Sequence, residues 1–229
     1  MRIVTWNLER KKPTSPTGAA GVEHLRSLEA DVMVLTEARR SFPADNGHTV
    51  WSRSWGSDDE RKVLMWSAAP WTDVDDFGSA DLPAARFVAG TTETPIGPVR
   101  VMGVCISWHM ANVRHGDRNR RPWEDHITYC GALRRLIEAR DPSLPLIVAG
   151  DYNQRIPSTR GGAQVEAMTS LLESVELLSG GEVDGWEKPG IDHIAVRGLT
   201  PERVQGWPNV IDGVRCSDHG GALADLRLR

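Results

Sequence analysis

Apolar residues along this chain fall in short runs rather than in long amphipathic stretches. Ile3 to Leu8, Val32 to Leu35, Val63 to Trp66, Val99 to Trp108, Leu146 to Ala149, Ile191 to Val196 and Ala222 to Leu228 are each of strand length, bounded by Gly, Pro, Asp or Ser. That punctuation belongs to strand ends, so the runs predict at least seven strands. Helical spacing occurs three times, at Val22, Leu25 and Leu28, at Trp123, Ile127, Cys130, Leu133 and Ile137, and at Val165, Met168, Leu172 and Val175, and each set predicts one amphipathic helix. A strand-helix-strand opening, a central block of strands and mixed later elements predict an α+β sandwich rather than a regularly alternating doubly wound sheet. Pro13 to Gly21 and Asn112 to Pro122 predict long surface loops, which in compact domains often carry function.

Size and composition narrow this picture only a little. The 229 residues fit one large domain, 1–229, able to bury roughly 70% of its unfolded surface, and no repeat, low-complexity tract or linker divides them. A net charge of -4 and a pI near 6.0 exclude nucleic-acid binding through overall charge, so any polyanion contact must be a local basic groove. Cys105, Cys130 and Cys216 have neither CxxC spacing nor an even count, which points to structural thiols in a reducing compartment. The opening Met1-Arg2-Ile3-Val4-Thr5-Trp6 has no leader pattern and no apolar run approaches 18 residues, so the expectation is a soluble cytoplasmic protein.

Polar residues of a particular kind stand where the apolar runs stop. Glu37 follows Asp31-Val32-Met33-Val34-Leu35-Thr36, and a hard carboxylate at a strand's carboxy end suits Mg²⁺ or Mn²⁺. Asn7 takes the equivalent place after the first strand, where an amide can orient a metal-bound water without adding charge. Asp151 and Asn153 follow Leu146-Ile147-Val148-Ala149-Gly150; an Asp there can orient or deprotonate an attacking water, and an Asn amide can donate to a charge-gaining oxygen. Asp192 and His219 form the most chemical pair, because a carboxylate accepting from one imidazole nitrogen fixes the tautomer and favours the charged ring. His109, after Val104-Cys105-Ile106-Ser107-Trp108, is a candidate second imidazole. Taken singly, each of these residues is more simply a turn or surface residue; their joint order is what points to phosphate chemistry.

In that order the chain resembles the endonuclease/exonuclease/phosphatase superfamily, the metal-dependent fold of deoxyribonuclease I, apurinic-site endonucleases, sphingomyelinases and inositol polyphosphate 5-phosphatases. The matching segments are Thr5-Trp6-Asn7, Leu35-Thr36-Glu37, Ser107-Trp108-His109, Gly150-Asp151-Tyr152-Asn153, Ile191-Asp192-His193-Ile194 and Ser217-Asp218-His219. The resemblance implies a four-layered α/β/β/α sandwich with the site at one edge of the paired sheets. It implies that Glu37, helped by Asn7 and with Asp218 as a further ligand, binds Mg²⁺ or Mn²⁺. Asp151 would orient the nucleophilic water, Asn153 would hold the phosphate and Asp192 would orient His219. Departures from the family pattern matter for substrate. Apurinic-site endonucleases carry Tyr where this chain has His109 and Gln where it has Thr36, so that branch is disfavoured. Glu37-Ala38-Arg39 is similar to the Glu-x-Arg of deoxyribonuclease I, whose Arg approaches DNA, and Glu60 is the counterpart of the Glu that pairs there with the His matching His109. Where many members have a Gly-rich strand ending in Ser-Arg, this chain reads Lys62-Val63-Leu64-Met65-Trp66-Ser67-Ala68.

Basic and aromatic residues near these segments suggest a rim. Arg114, His115, Arg118, Arg120, Arg121 and Trp123, with Arg10, Lys11, Lys12, Arg155 and Arg160, would suit a nucleic-acid strand or a multiply phosphorylated small molecule. The expected activity is metal-dependent hydrolysis of phosphodiesters, nucleic acid first. The alternatives are a phosphomonoesterase acting on a nucleotide, sugar or inositol phosphate, and a catalytically silent binding module.

Overall fold

The computed structural model describes residues 1–43, 45–55, 57–113 and 120–229. In chain order its elements are β1 (Arg2–Asn7), α1 (Pro16–Ser27), β2 (Val32–Arg39), β3 (His48–Trp51), β4 (Ser54–Trp55), β5 (Ser57–Ser67), β6 (Trp71–Asp75), β7 (Phe87–Thr94) and β8 (Gly97–Cys105). There follow α2 (Glu124–Glu138), β9 (Leu146–Asp151), α3 (Ala163–Leu172), β10 (Glu176–Leu177), β11 (Asp192–Arg197), β12 (Leu199–Trp207), β13 (Val210–Ile211), β14 (Val214–Arg215) and β15 (Gly221–Leu228). One mixed sheet runs β12-β15-β1-β2-β5-β3, with β4 also on β5, and a second runs β10-β11-β9-β8-β7-β6. Each sheet has one parallel pairing, β1 with β2 and β8 with β9. A parallel pair needs a crossover, and α1 and α2 are those crossovers, which is why helices follow some strands and not others.

Alternating side chains fill three apolar layers. Ile3, Val34 and Met65 of the first sheet meet Val101, Ile147 and Ile194 of the second. On the outer faces, Val4, Trp6 and Leu35 pack on Val22 and Leu25 of α1, while Val104 and Val148 pack on Leu133 of α2 and Met168 of α3. Each fully buried side chain of this size contributes roughly 1.5–3 kcal/mol. The result is the expected α/β/β/α sandwich.

Two differences from the sequence reading have local causes. Pro16 to Gly21 are helical, not loop: Ser15 caps α1 by accepting from the Gly18 amide at 3.2 Å, and Pro16 takes the first turn, where its missing N–H costs nothing. Strand β8 stops at Cys105 rather than Trp108, so Trp108 and His109 lie beyond the sheet.

Gly150 is the tightest point near the chemistry. Its φ is +138°, and an added Cβ would fall 2.0 Å from the Val104 carbonyl oxygen. Gly150→Ala is therefore expected to destabilise by about 3 kcal/mol or more, a fall in Tm of roughly 10 °C for this length. A thermal melt within about 2 °C of wild type would show that β8 and β9 can separate there.

Candidate active site

At one end of the sandwich the apolar filling between the sheets gives way to polar groups in the same register. Asn7 is in step with Ile3, Asp151 with Ile147 and Ala149, and Asp192 with Ile194 and Val196, all on the face between the sheets. Asn7, Asp151 and Asp192 are buried, at 3%, 3% and 0% exposure. Strand pairing sets Asp192 directly opposite Asp151 and Cys105 beside it. Glu37 arrives by a different device. It lies inside β2 with φ +47°, and the alternation resets there: Leu35 and Ala38 both pack on the α1 side although three positions apart. A left-handed non-glycine residue costs roughly 1–3 kcal/mol, and such residues gather at functional sites.

Hydrogen bonds fix the set. Asp151 Oδ1 accepts from the Asn153 amide N–H at 2.8 Å, and Oδ2 accepts from Asn153 Nδ2 at 2.9 Å and from Asn7 Nδ2 at 3.3 Å. Asn7 Oδ1 accepts from the Glu9 amide at 2.8 Å, so Asn7 serves Asp151 through its NH₂ while its oxygen is already engaged. His219 Nδ1 donates to Asp192 Oδ2 at 2.5 Å. Ser217 Oγ donates to the Asn7 carbonyl at 2.6 Å and accepts from the His219 amide at 3.1 Å, and Trp6 Nε1 donates to the His219 carbonyl at 2.8 Å. The last turn is thereby pinned to the first strand. Gln154 stiffens the neighbouring loop, its Oε1 2.9 Å from His126 Nε2 and its carbonyl 3.1 Å from His193 Nε2.

Charge is distributed unevenly among these groups. Burial, with the Asp192 carboxylate opposite, pushes Asp151 up to about 7, against the pull of His219 and the Asn153 amide. Burial works against a charged His219, but Asp192, through charge and hydrogen bond, with Asp151 and Asp218 adding to it, raises the ring to about 10. For Glu37, burial would also disfavour charge; Lys62, Arg10 and His219 outweigh it and hold the carboxyl below its usual range. Burial lifts the Cys105 thiol, on the cavity floor, to about 12, and Cys216 is buried as well. Neither is a nucleophile at neutral pH.

Asn7, Glu37, Asp151, Asn153, Asp218 and His219 all border one cavity of about 1000 Å³. Asp218 and His219 also border a second, of about 440 Å³, with Arg155, Trp186 and Lys188. Other expected residues are placed elsewhere. His109 is exposed beyond β8, its ring 5.2 Å from Trp108 and 5.5 Å from Trp123, and does not join the other catalytic candidates. Trp123 is half-buried, with the rings of His109 and His126 at 5.5 and 5.0 Å, and it is not among the residues that border either cavity. Arg39 is neutralised by Asp59 at 2.9 Å and Glu60 at 3.2 Å and donates to the Arg10 carbonyl at 2.8 Å, so it positions Arg10 instead of facing the cavity. Glu60 is accordingly a partner of Arg39 and not of His109. Arg121 is exposed, away from the lining, and its amide donates to Glu124 at 2.8 Å. Arg155 lines the smaller cavity only. Arg118, with Arg114 and His115, lies outside the described residues.

Lys62 and Arg86 are among the cavity residues that escaped the sequence reading. Lys62 reaches Glu37 from β5, donating Nζ to Oε1 at 2.7 Å; only the cross-strand register reveals that. Arg86, 8% exposed, precedes β7 and donates to the Cys105 carbonyl at 3.2 Å.

The donors around Glu37 fit a small hard dication. Glu37 and Asp218 offer carboxylate oxygens at the cavity wall, the donor type that Mg²⁺ and Mn²⁺ prefer. Asp151, Asp192 and His219 also place one ligand-capable atom each within 4.8 Å of one another. In that trio His219 Nδ1 is committed to Asp192 at 2.5 Å, an arrangement that orients the ring and holds a proton between the pair.

A model described as the Endonuclease/Exonuclease/phosphatase family matches residues 4–219. No curated protein matches the chain. Among solved structures, a 3' phosphatase from Neisseria bound to a product DNA hairpin is 20% identical, covering 98% of this chain and 98% of that one, with a TM-score of 0.69. An AP endonuclease from Archaeoglobus fulgidus is 15% identical over 98% of each chain, with a TM-score of 0.72. The endonuclease domain of TRAS1, a telomere-specific non-LTR retrotransposon, is 18% identical over 99% of this chain and 98% of that one, with a TM-score of 0.66. At such identities the likeness is one of fold. No helix among the described residues is long and apolar enough to cross a membrane.

Proposed function

Since the chain belongs to the endonuclease/exonuclease/phosphatase family, we propose that its phosphoester hydrolysis is divalent-metal-dependent and directed at phosphodiesters, with nucleic acid the first substrate class. Residues 1–229 are taken as one catalytic domain, and Thr36 and His109 set it apart from the apurinic-site branch. Asp151, poised near neutrality and steered by Asn153 and Asn7, accepts the proton of the attacking water. His219, kept charged by Asp192, offers its ring to the oxygen that gains charge. Both Nδ2 hydrogens of Asn153 are engaged, by Asp151 Oδ2 and by the Ile106 carbonyl, each at 2.9 Å, so Asn153 steers Asp151 and reaches a non-bridging oxygen only by giving up one of those bonds. Glu37 and Asp218 hold Mg²⁺ or Mn²⁺, with Asn7 beside them orienting Asp151; the bound cation supplies Lewis-acid stabilisation of the phosphoryl group.

The observation that carries the diester reading is the position of Asp218 and His219 at the junction of the 1000 and 440 Å³ cavities. A phosphorus atom beside His219 has room for a substituent on either side, and the smaller cavity brings Arg155, Lys188 and Trp186 to one of them. A monoester needs one side only. With Mg²⁺ or Mn²⁺, bis(p-nitrophenyl) phosphate and DNA are expected to be cleaved with higher kcat/KM than p-nitrophenyl phosphate and phosphorylated metabolites. The reverse order would favour the phosphomonoesterase. The pH profile of the same assay should rise as Asp151 ionises through about 7 and fall as His219 loses its proton through about 10. A cation beside Asp151 moves the acid limb downward, so that limb should shift with metal concentration.

A further inference from the structure

Both oxygens of Glu37 are held by cations from this chain. Lys62 Nζ sits 2.7 Å from Oε1 and an Arg10 guanidinium nitrogen 3.1 Å from Oε2. The Lys62 and Glu37 side chains are only 11% and 18% exposed, so this pair escapes most of the solvent screening that makes surface ion pairs weak. Arg10 is the outer member, its side chain 48% exposed, but its backbone is fixed. Its amide donates to the Glu37 carbonyl at 2.8 Å, and its own carbonyl accepts from Arg39. Lys62 and Arg10 also line the large cavity alongside Asn7, Asp151 and His219.

A dication and these two side chains need the same carboxylate. One negative charge faced by two positive ones repels an approaching cation, and the repulsion is strong where water is scarce. An anionic phosphoester in the cavity changes the balance, because it gives the ammonium and guanidinium groups oxygens of their own. We propose that Lys62 and Arg10 couple the two binding events. They neutralise Glu37 in the free protein and pass to the phosphoryl oxygens when substrate enters, which frees Glu37 for the cation. The proposal rests on the reading of Glu37 as the cation's carboxylate. Coupling of this kind is reciprocal, so cation must also tighten phosphoester binding by the same factor.

Calorimetric titration of Mn²⁺ into the full chain, with and without dimethyl phosphate, tests the exchange directly. For the wild type, dimethyl phosphate is expected to tighten Mn²⁺ binding about tenfold, within the usual range of such couplings. Lys62→Met should bind Mn²⁺ about tenfold more tightly without the phosphate and lose the dependence on it, while Lys62→Arg retains wild-type behaviour. Arg10→Met, at the exposed position, should repeat the Lys62→Met result at smaller amplitude and serves if Lys62→Met does not fold. Equal or weaker Mn²⁺ binding in Lys62→Met and Arg10→Met, with binding abolished in Glu37→Ala, would overturn the coupling and leave the Glu37 site standing. Mn²⁺ binding that survives unchanged in Glu37→Ala would overturn both.

Discussion

His219→Ala is expected to lower kcat by about 10³ or more, the scale for losing a preorganised charge beside a phosphorus centre. The substitution removes the imidazolium and strands Asp192, whose Oδ2 has the ring as its partner at 2.5 Å and whose buried Oδ1 has none among the described residues. Asp192→Asn is the sharper companion. An amide oxygen still accepts from Nδ1, so the ring stays in place, but the charge that lifts His219 to about 10 is gone, and the alkaline limb of the rate profile should move toward the ordinary imidazole value near 6.5. Stability carries the same signature. The folded-state pKa of His219 is raised, so the pairing stabilises fully below about pH 6.5 and its contribution disappears as pH rises through the folded value. The stability gap between wild type and His219→Ala should shrink over that window. A His219→Ala enzyme that turned over at more than about a tenth of the wild-type rate would remove His219 from the chemistry.

Glu37→Ala should cost at least about 10² in kcat/KM at fixed Mg²⁺, since a bound cation supplies several kcal/mol of charge stabilisation and loss of even a supporting residue costs 10- to 100-fold. The rate should also lose its saturable dependence on the metal. Stability should respond separately. Removing Glu37 leaves Lys62, 11% exposed, without its carboxylate, at a cost of about 1–3 kcal/mol, while the left-handed backbone stays strained. Glu37→Gly relieves that strain, and its Tm should exceed that of Glu37→Ala with no recovery of rate. Wild-type rates and metal response in Glu37→Ala would place the cation somewhere else.

The apolar runs disclosed the sheets because alternation is a local property. Asn7, Asp151 and Asp192 were legible because each stands where an apolar run starts or stops, and the structure adds that each continues the inward parity of its own strand. Glu37 was found by its position after an apolar run, yet β2 continues through Arg39, and only the backbone twist at Glu37 turns its carboxylate to the site. The local pattern Glu37-Ala38-Arg39 gave no hint of Asp59 and Glu60 on the adjacent strand, so Arg39 looked available when it is spent on them. His109 was misplaced because the run from Val99 to Trp108 outlasts its strand by three residues. Strands β7 and β12 were silent. The first carries Gly90, where an added Cβ would come within 2.7 Å of the Trp71 ring, and several threonines. The second is an edge strand with Pro201 at a register shift, a composition that edges tolerate and interiors do not. Lys62 and Arg86 depend on pairings that no single run encodes.

The pairing of β15 between β1 and β12 has a consequence for how this protein is made. The turn bearing Asp218 and His219 is the last of the site to leave the ribosome, and it is held by Asn7 and Trp6, which leave first. A growing chain therefore gains Asn7, Glu37, Asp151 and Asp192 in turn, and the imidazole proposed to work with them comes after all four. On the proposed roles, a chain cut short before Asp218 is expected to hydrolyse no phosphoester, because β15 pairs with β1 and the turn that precedes it carries the imidazole.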